Sequence, residues 1–211
     1  MIPTKEEWYR ALCDRHGEDL QRKFTSATVA ICGLGGLGSN IAVALARAGV
    51  GKLILIDFDK LDITNLHRQQ YKVNQIAMNK TDALAENLRE IAPYITVETH
   101  NMRITEDNAE GLLENADIIC EAFDNPECKA MLTNLVLEKM TSKYLIVSSG
   151  MAGIGSANTI RTRRVSNKLY ICGDEVSDVK VEGSLISSRV MICAAHQAHT
   201  TLRILAEQFE T

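Results

Sequence analysis

A strand-type apolar run, Val29-Ala30-Ile31-Cys32, leads directly into Gly33-Leu34-Gly35-Gly36-Leu37-Gly38. A helical pattern follows through Ile41, Ala42, Leu45 and Ala46. A second apolar run, Lys52-Leu53-Ile54-Leu55-Ile56, then ends in Asp57. Strand, glycine turn, helix, strand and acid in that order predict a nucleotide-binding βαβ unit. Gly33, Gly35, Gly36 and Gly38 let the backbone turn tightly and let phosphate approach its N–H groups. The helix N-terminus favours negative charge there, and Asp57 is placed to hold ribose hydroxyls. A glycine-x-glycine-x-x-glycine turn alone is weak, because such turns also serve plain packing. The strand before it, the helix after it and the acid beyond it make the context agree.

The chain has 211 residues, enough for one sizeable core. No apolar run is long enough to span a membrane. The start, Met1-Ile2-Pro3-Thr4-Lys5-Glu6-Glu7-Trp8, has no secretory apolar segment, which predicts a cytoplasmic protein. The formal net charge of -4 argues against nucleic acid as the main partner. Six cysteines, Cys13, Cys32, Cys120, Cys128, Cys172 and Cys193, form no Cys-x-x-Cys pair. The strong zinc signature is therefore missing, and no zinc is expected.

Residues 5–24 read as one or two helices with Trp8, Leu12 and Leu20 inward, within a helical segment over 1–24. The helix after the glycine turn is predicted over 39–48, ended by Gly49 as a left-handed cap. After Asp57 comes a loop dense in polar groups: Asp59, Asp62, Thr64, Asn65, His67, Arg68, Gln69 and Gln70. Most polar stretches are solvated connections. This one leaves the strand end where ligands bind in open α/β sheets. Lys80 opens a helix with Leu84, Leu88 and Ile91 inward, stopped by Pro93. Further strands are predicted over 95–100, 117–123 and 144–149, with a short helix over 105–115. Asp124-Asn125 follows the 117–123 strand, and Pro126 stands in the first turn of a helix reaching 140. Asp124 reads as that helix's N-cap and also as a magnesium ligand.

The last sixty residues differ in style. Segments 157–163 and 168–172 alternate as a hairpin does. Residues 173–184 read as a polar, mobile loop, and 188–209 as a closing helix with Val190, Cys193, Ala194, Leu202 and Leu205 inward. Arg161, Arg163, Arg164 and Lys168 form the basic cluster, ordinarily a solvated face. The expected architecture is α/β, one domain over 1–211. It is a Rossmann-like, mostly parallel central sheet with helices on both faces, a C-terminal β-hairpin and a closing helix.

Gly-x-Gly-Gly-Leu-Gly-Ser, Asp-Phe-Asp, Asn-Leu-x-Arg-Gln, a lysine and a later Asp-Asn form an ordered set. This set resembles the ThiF/MoeB/HesA family, bacterial relatives of ubiquitin-activating enzymes. The resemblance covers about residues 24–205 and is strongest to the short ThiF-type proteins, through Ala152, Arg189-Val190 and Ala194-Ala195-His196-Gln197-Ala198. It implies ATP- and magnesium-dependent adenylation of the C-terminal glycine of a small ubiquitin-like sulfur carrier ending in Gly-Gly. Thiazole (thiamine) biosynthesis is the family-level pathway, with molybdopterin or cysteine carriers open.

Carried over by position, Gly33, Gly35, Gly36 and Gly38 line the ATP site and Asp57 holds the ribose with Asp59 beside it. Asn65, Arg68 and Lys80 contact the phosphates, and Thr64, Gln69 and Asn125 belong to the same nucleotide site. Arg68, Lys80 and Asp124 carry the chemistry, and Asp124 holds magnesium. Arg15 loosely matches an N-terminal arginine that reaches a neighbour's site in a homodimer. The chain departs from the family's zinc-binding members in lacking Cys-x-x-Cys pairs. It departs from sulfur-transferring members in lacking a cysteine within the 173–183 loop, which leaves Cys172 at its hinge and implies a separate sulfur donor. Three other readings stand beside this one: an NAD-dependent oxidoreductase, a tRNA-modifying dehydratase on the same fold, and a nucleotide-binding scaffold without turnover.

Overall fold

The computed structural model describes residues 2–211, so Met1 lies outside the described residues. Two helices, α1 (Lys5–His16) and α2 (Glu18–Ser26), precede β1 (Thr28–Cys32). Then follow α3 (Gly36–Arg47), β2 (Lys52–Asp57), α4 (Lys80–Ile91), β3 (Thr96–Asn101), α5 (Ala109–Leu113), β4 (Ile118–Glu121), α6 (Pro126–Lys139) and β5 (Tyr144–Ser148). The chain closes with β6 (Arg161–Arg164), β7 (Leu169–Gly173), the short α7 (Val179–Glu182) and α8 (Ser187–Leu205). No described helix is long and apolar enough to cross a membrane.

The seven strands form one sheet in the order β3-β2-β1-β4-β5-β7-β6. All neighbours are parallel except β6 with β7. The expected α/β class, helices on both faces, terminal hairpin and closing helix are all present. The sequence pattern left open how the hairpin joins: its second strand, β7, pairs in parallel with β5, and β6 takes the edge.

Side-chain alternation divides the core into two layers. Val29, Ile31, Leu53, Leu55, Ile118 and Cys120 face α3, α4 and α8. Ala30, Cys32, Ile54, Ile56 and Ile119 face α5 and α6. The inner strands are buried on both faces, which is why they read as continuous apolar runs.

Several boundaries shift. Helix α3 starts at Gly36, not at residue 39, because its first turn needs only backbone; apolar periodicity begins one turn later. The short helix starts at Ala109, not 105. Residues 157–159 form a 3-10 turn rather than strand, and β6 begins at Arg161. The closing helix ends at Leu205, with Leu202 and Leu205 only partly buried and Ile204 taking the inward position.

Candidate functional site

The sheet order reverses between β1 and β4, so a crevice opens at their carboxyl ends. The glycine turn lies in it, and its four glycines are glycine for different reasons. Gly33 has φ +93°, and a Cβ there would stand 2.8 Å from the Ala122 carbonyl oxygen. A Cβ at Gly38 would stand 1.8 Å from the Gly33 oxygen, and one at Gly36 2.9 Å from Val190 Cγ1. Those three are required by packing. Gly35 is uncrowded: φ is -74°, and the nearest atom to its missing Cβ is Gln69 Nε2 at 3.8 Å. Its small size leaves room on the crevice side. No side chain caps α3, so the first-turn N–H groups are left for a ligand or water.

Asp57 ends β2 beside this turn. Its Oδ2 accepts from the Leu34 N–H at 2.6 Å and its Oδ1 from the Asp59 N–H at 2.8 Å. Burial pushes the Asp57 carboxyl up, and the Lys80 ammonium and these two N–H groups oppose that. The Tyr71 hydroxyl donates to the Leu34 carbonyl at 2.7 Å, and burial holds its ionisation well above the usual phenol range. Lys80, at the start of α4, pairs with Asp59 at 2.6 Å. Its side chain is buried, and Asp59 takes one of the three donors of its ammonium.

The polar loop after Asp57 is folded, not loosely solvated. Arg68 lays its stem over Gly36, with Cγ and Cδ each 3.3 Å from where a Cβ would be. Its guanidinium reaches His67 Nε2 at 3.1 Å. Gln69 is buried, and its Oε1 has no partner. Two of the expected contacts are turned elsewhere. Asn65 Oδ1 accepts from the Asp62 N–H, and the exposed Thr64 hydroxyl donates to Asp62 Oδ1, because both belong to a 3-10 capping turn.

Asp124 stands exposed after β4, on the turn against which Gly33 packs. It does not cap α6. Asn125 does, its Oδ1 accepting from the Cys128 N–H at 2.8 Å. Pro126 occupies N1, so the cap falls on the residue immediately before it. This frees the Asp124 carboxylate and commits the Asn125 side-chain oxygen. Arg15 is not brought to the crevice. It is exposed on α1, where Leu12 lies against Gly49, ahead of β2 and at the opposite end of the sheet.

Further polar residues hold the site together. Ser39 Oγ donates to the Gly35 carbonyl at 2.7 Å and accepts from the Gln70 N–H at 3.1 Å. Asn40 Nδ2 donates to the Gly36 carbonyl at 2.6 Å and the Arg68 carbonyl at 3.2 Å, while its Oδ1 accepts from Gln70. Asn87 donates to the Gln70 carbonyl and pairs with Gln75. These amides stitch the arginine loop to the glycine turn. The available signal was a polar residue inside an apolar stripe: Asn40 before Ile41, and Asn87 between Leu84 and Leu88.

Four of the six cysteines, Cys32, Cys120, Cys172 and Cys193, are sealed in the core. Burial pushes the Cys172 thiol up to about 11 and the Cys120 thiol up to about 12. Cys172 is thus sealed beneath α8 and is no exposed hinge. The 173–184 loop is anchored at its root: Asp174 Oδ1 accepts from the Val176 and Ser177 N–H groups, and Val179–Glu182 forms a helical turn.

Residues 9–211 match the ThiF family. The adenylyltransferase and sulfurtransferase MOCS3 of Culex quinquefasciatus is 37% identical over 192 residues, covering 88% of this chain and 43% of that protein. Ubiquitin-like modifier-activating enzyme 5 of Caenorhabditis briggsae is 38% identical over 110 residues, 52% of this chain and 24% of that protein. The chain spans less than half the length of these relatives. Among solved structures, E. coli tRNA N6-threonylcarbamoyladenosine dehydratase TcdA, in complex with ATP, has a TM-score of 0.86 at 19% identity, covering 99% of this chain and 98% of that one. E. coli MccB with succinimide has a TM-score of 0.73 at 22% identity, covering 98% of this chain and 66% of that one. At these identities the two structures speak to the fold, and the family match speaks to membership. The chain belongs to the ThiF family.

Proposed function

We propose that this chain adenylates the C-terminal carboxylate of a small ubiquitin-like carrier protein ending in Gly-Gly, using ATP. The observation that carries this is the uncrowded Gly35 at the uncapped N-terminus of α3, bordered by Asp57, Arg68, Lys80 and Asp124. The named activities of the MOCS3 relatives and of the ubiquitin-like modifier-activating enzymes support the reading.

The attacking carboxylate is already ionised at neutral pH, so no general base is needed. Its oxygen bonds to the α-phosphorus, the bond to the β-phosphate oxygen breaks, and pyrophosphate leaves. Like-charge repulsion is the obstacle, so the site works by placing cations and N–H donors around developing charge. Arg68 supplies a rigid fork and Lys80 a compact ammonium. Asp57 accepts from ribose hydroxyls. A single exposed carboxylate such as Asp124 fits a magnesium ion held mainly by substrate phosphates. Magnesium would supply charge neutralisation there. Gln69 offers its amide beside Gly35. With this reading go a homodimer in which Arg15 serves the neighbour's crevice, no structural zinc, a cytoplasmic site of action, and thiamine (thiazole) synthesis as the pathway. A tRNA-modifying dehydratase remains the second reading, supported by the likeness to TcdA over nearly both whole chains. Carrier-dependent versus tRNA-dependent pyrophosphate exchange separates the two.

Calorimetry tests the nucleotide. Mg-ATP should bind and NAD should not. Gly35→Ala should melt like the parent yet lose at least about tenfold in ATP affinity, because its Cβ occupies space on the crevice side that a phosphate needs. Tight NAD binding without ATP binding would sink the reading.

The product should be released as the acyl-adenylate to a separate sulfur donor. Cys172 is 0% exposed and burial pushes its thiol up to about 11, so it is a poor thiolate at neutral pH. Cys172→Ser should leave pyrophosphate exchange unchanged. Mass spectrometry should find no enzyme–carrier adduct in either protein. A thiol-sensitive adduct present in the parent and lost in Cys172→Ser would make Cys172 a sulfur relay.

A further inference from the structure

Arg189, in the first turn of α8, is 5% exposed and is bonded at all three of its nitrogens. Nε donates to the Ala152 carbonyl at 3.1 Å. Nη1 donates to the Gly155 and Ser156 carbonyls, each at 2.7 Å. Nη2 donates to Thr159 Oγ1 at 3.1 Å and to Asp174 Oδ2 at 2.5 Å. One guanidinium thereby gathers the segment after β5 and the root of the loop after β7. The next residue, Val190, packs against Gly36 of the nucleotide turn. The knot is built closely. A Cβ at Gly150 would stand 2.0 Å from Asp174 Oδ1, and Gly150 and Gly153 have φ of +77° and +72°. A planar fork with five donors can bind this set; a point charge cannot.

The gathered segment, residues 150–156, leaves the carboxyl end of β5, the strand next to β4, which leads into Asp124. It is glycine-rich, and Ile154 on it is 89% exposed. Gly153 forms a one-residue parallel bridge with Leu185. This is backbone held in place beside a crevice, a shape suited to an extended, small-residue peptide end. Carbonyls without a firm hold would be a poor guide for such a chain, and Arg189 supplies the hold from behind.

We propose that Arg189, together with Asp174, is a positioning residue that holds residues 150–156 as the guide for the C-terminal tail of the acyl substrate, and leaves nucleotide binding to the opposite wall. This rests on the carrier-adenylation reading for the identity of the tail, not for the existence of the guide.

The test uses the full chain, Mg-ATP and a fluorescein-labelled decapeptide ending in Gly-Gly as probe. Two variants are compared with the parent. Arg189→Lys keeps the charge and loses the fork. Asp174→Asn keeps Oδ1 for the Ser177 and Val176 N–H groups and removes the one charged partner of the Arg189 fork, loosening its grip on residues 150–156 without removing it, which covers the case that Arg189→Lys does not fold. In both, ATP affinity by calorimetry should stay within about twofold. Peptide affinity by anisotropy should fall by about tenfold, with KM for the peptide in pyrophosphate exchange rising in step and kcat little changed. A merely structural arginine would lower ATP and peptide affinity together, and that parallel loss overturns the proposal. So does unchanged peptide affinity in the variants, or a parent that does not bind the peptide at millimolar concentration. A parent that binds both ATP and peptide yet exchanges no pyrophosphate sinks the adenylation reading and leaves the guide standing.

Discussion

Replacing Arg68 by alanine is expected to slow carrier adenylation by about 10²–10³-fold, the effect of losing one preorganised donor from a charge-stabilising site. The reason lies in where the side chain sits. Its stem crosses Gly36, and its guanidinium is turned to His67 and not to a carboxylate. No ion pair is broken by removing it, and no apolar core is opened. Melting should therefore move little while the rate collapses. Arg68→Lys should fall between the two, since it keeps the charge and loses the fork. Carrier-dependent pyrophosphate exchange and thermal melting, measured on the same preparations, read both. A variant with parental rate and parental melting would remove Arg68 from the mechanism. A variant that melts far below the parent would mean that Arg68 holds the Asn40–Gln70 network and not the nucleotide. In that case Asn40→Ala should melt low as well, because Asn40 ties Gly36 to Gln70 beneath the Arg68 stem.

The frame of this site was legible in the sequence because it is written in local periods. The apolar runs at Val29–Cys32 and Leu53–Ile56, the glycine turn and the acid ending β2 are contiguous features. Each placed its element within a few residues. What was not legible depends on partners far away in the chain. Nothing near Lys129 says that it will lie under Ser148, nor near Arg189 that it will grip carbonyls more than thirty positions earlier. The cap of α6 is a local miss with a local reason: proline at N1 hands the cap to Asn125, which commits that side chain and frees Asp124. The loop over 173–184 read as mobile because it is polar and lacks aromatic residues. Its root is ordered by Asp174, whose role needs Arg189 and Gly150 to be understood. Cys172 looked like a hinge from its place beside that loop. Strand β7 buries it instead, since β7 is an inner strand and β6 takes the edge beyond it.

Lys129→Ala is expected to cost about 3–5 kcal/mol of stability, the usual result of stranding a buried charge. Glu121 is fully buried at the end of β4. Both of its oxygens accept from Lys129 Nζ at 2.9 Å, and Oε1 also accepts from the Phe123 N–H at 2.6 Å. Lys129 further donates to Ser148 Oγ at 2.9 Å, so this one ammonium joins the carboxyl ends of β4 and β5 beneath the turn that carries Asp124. Burial pushes the Glu121 carboxyl up, and the Lys129 ammonium is the largest influence holding it down. Without Lys129 it rises further. A carboxyl raised in the folded state contributes stability that is present below its ordinary value of 4.5 and is lost as pH rises through the folded value. The variant should therefore approach the parent as pH falls, because a protonated Glu121 strands no charge, and lie furthest from it at neutral pH. In a chain of this length the loss at neutral pH corresponds to a melting drop of about 6–20 °C. Glu121→Gln combined with Lys129→Met should recover most of it, because the amide keeps an acceptor for the Phe123 N–H and carries no charge to strand. Differential scanning calorimetry across pH 5–8 decides the matter. A Lys129→Ala protein melting within about 2 °C of the parent at neutral pH would mean that water or a rearranged side chain already compensates Glu121, and the junction beneath Asp124 would not depend on this pair.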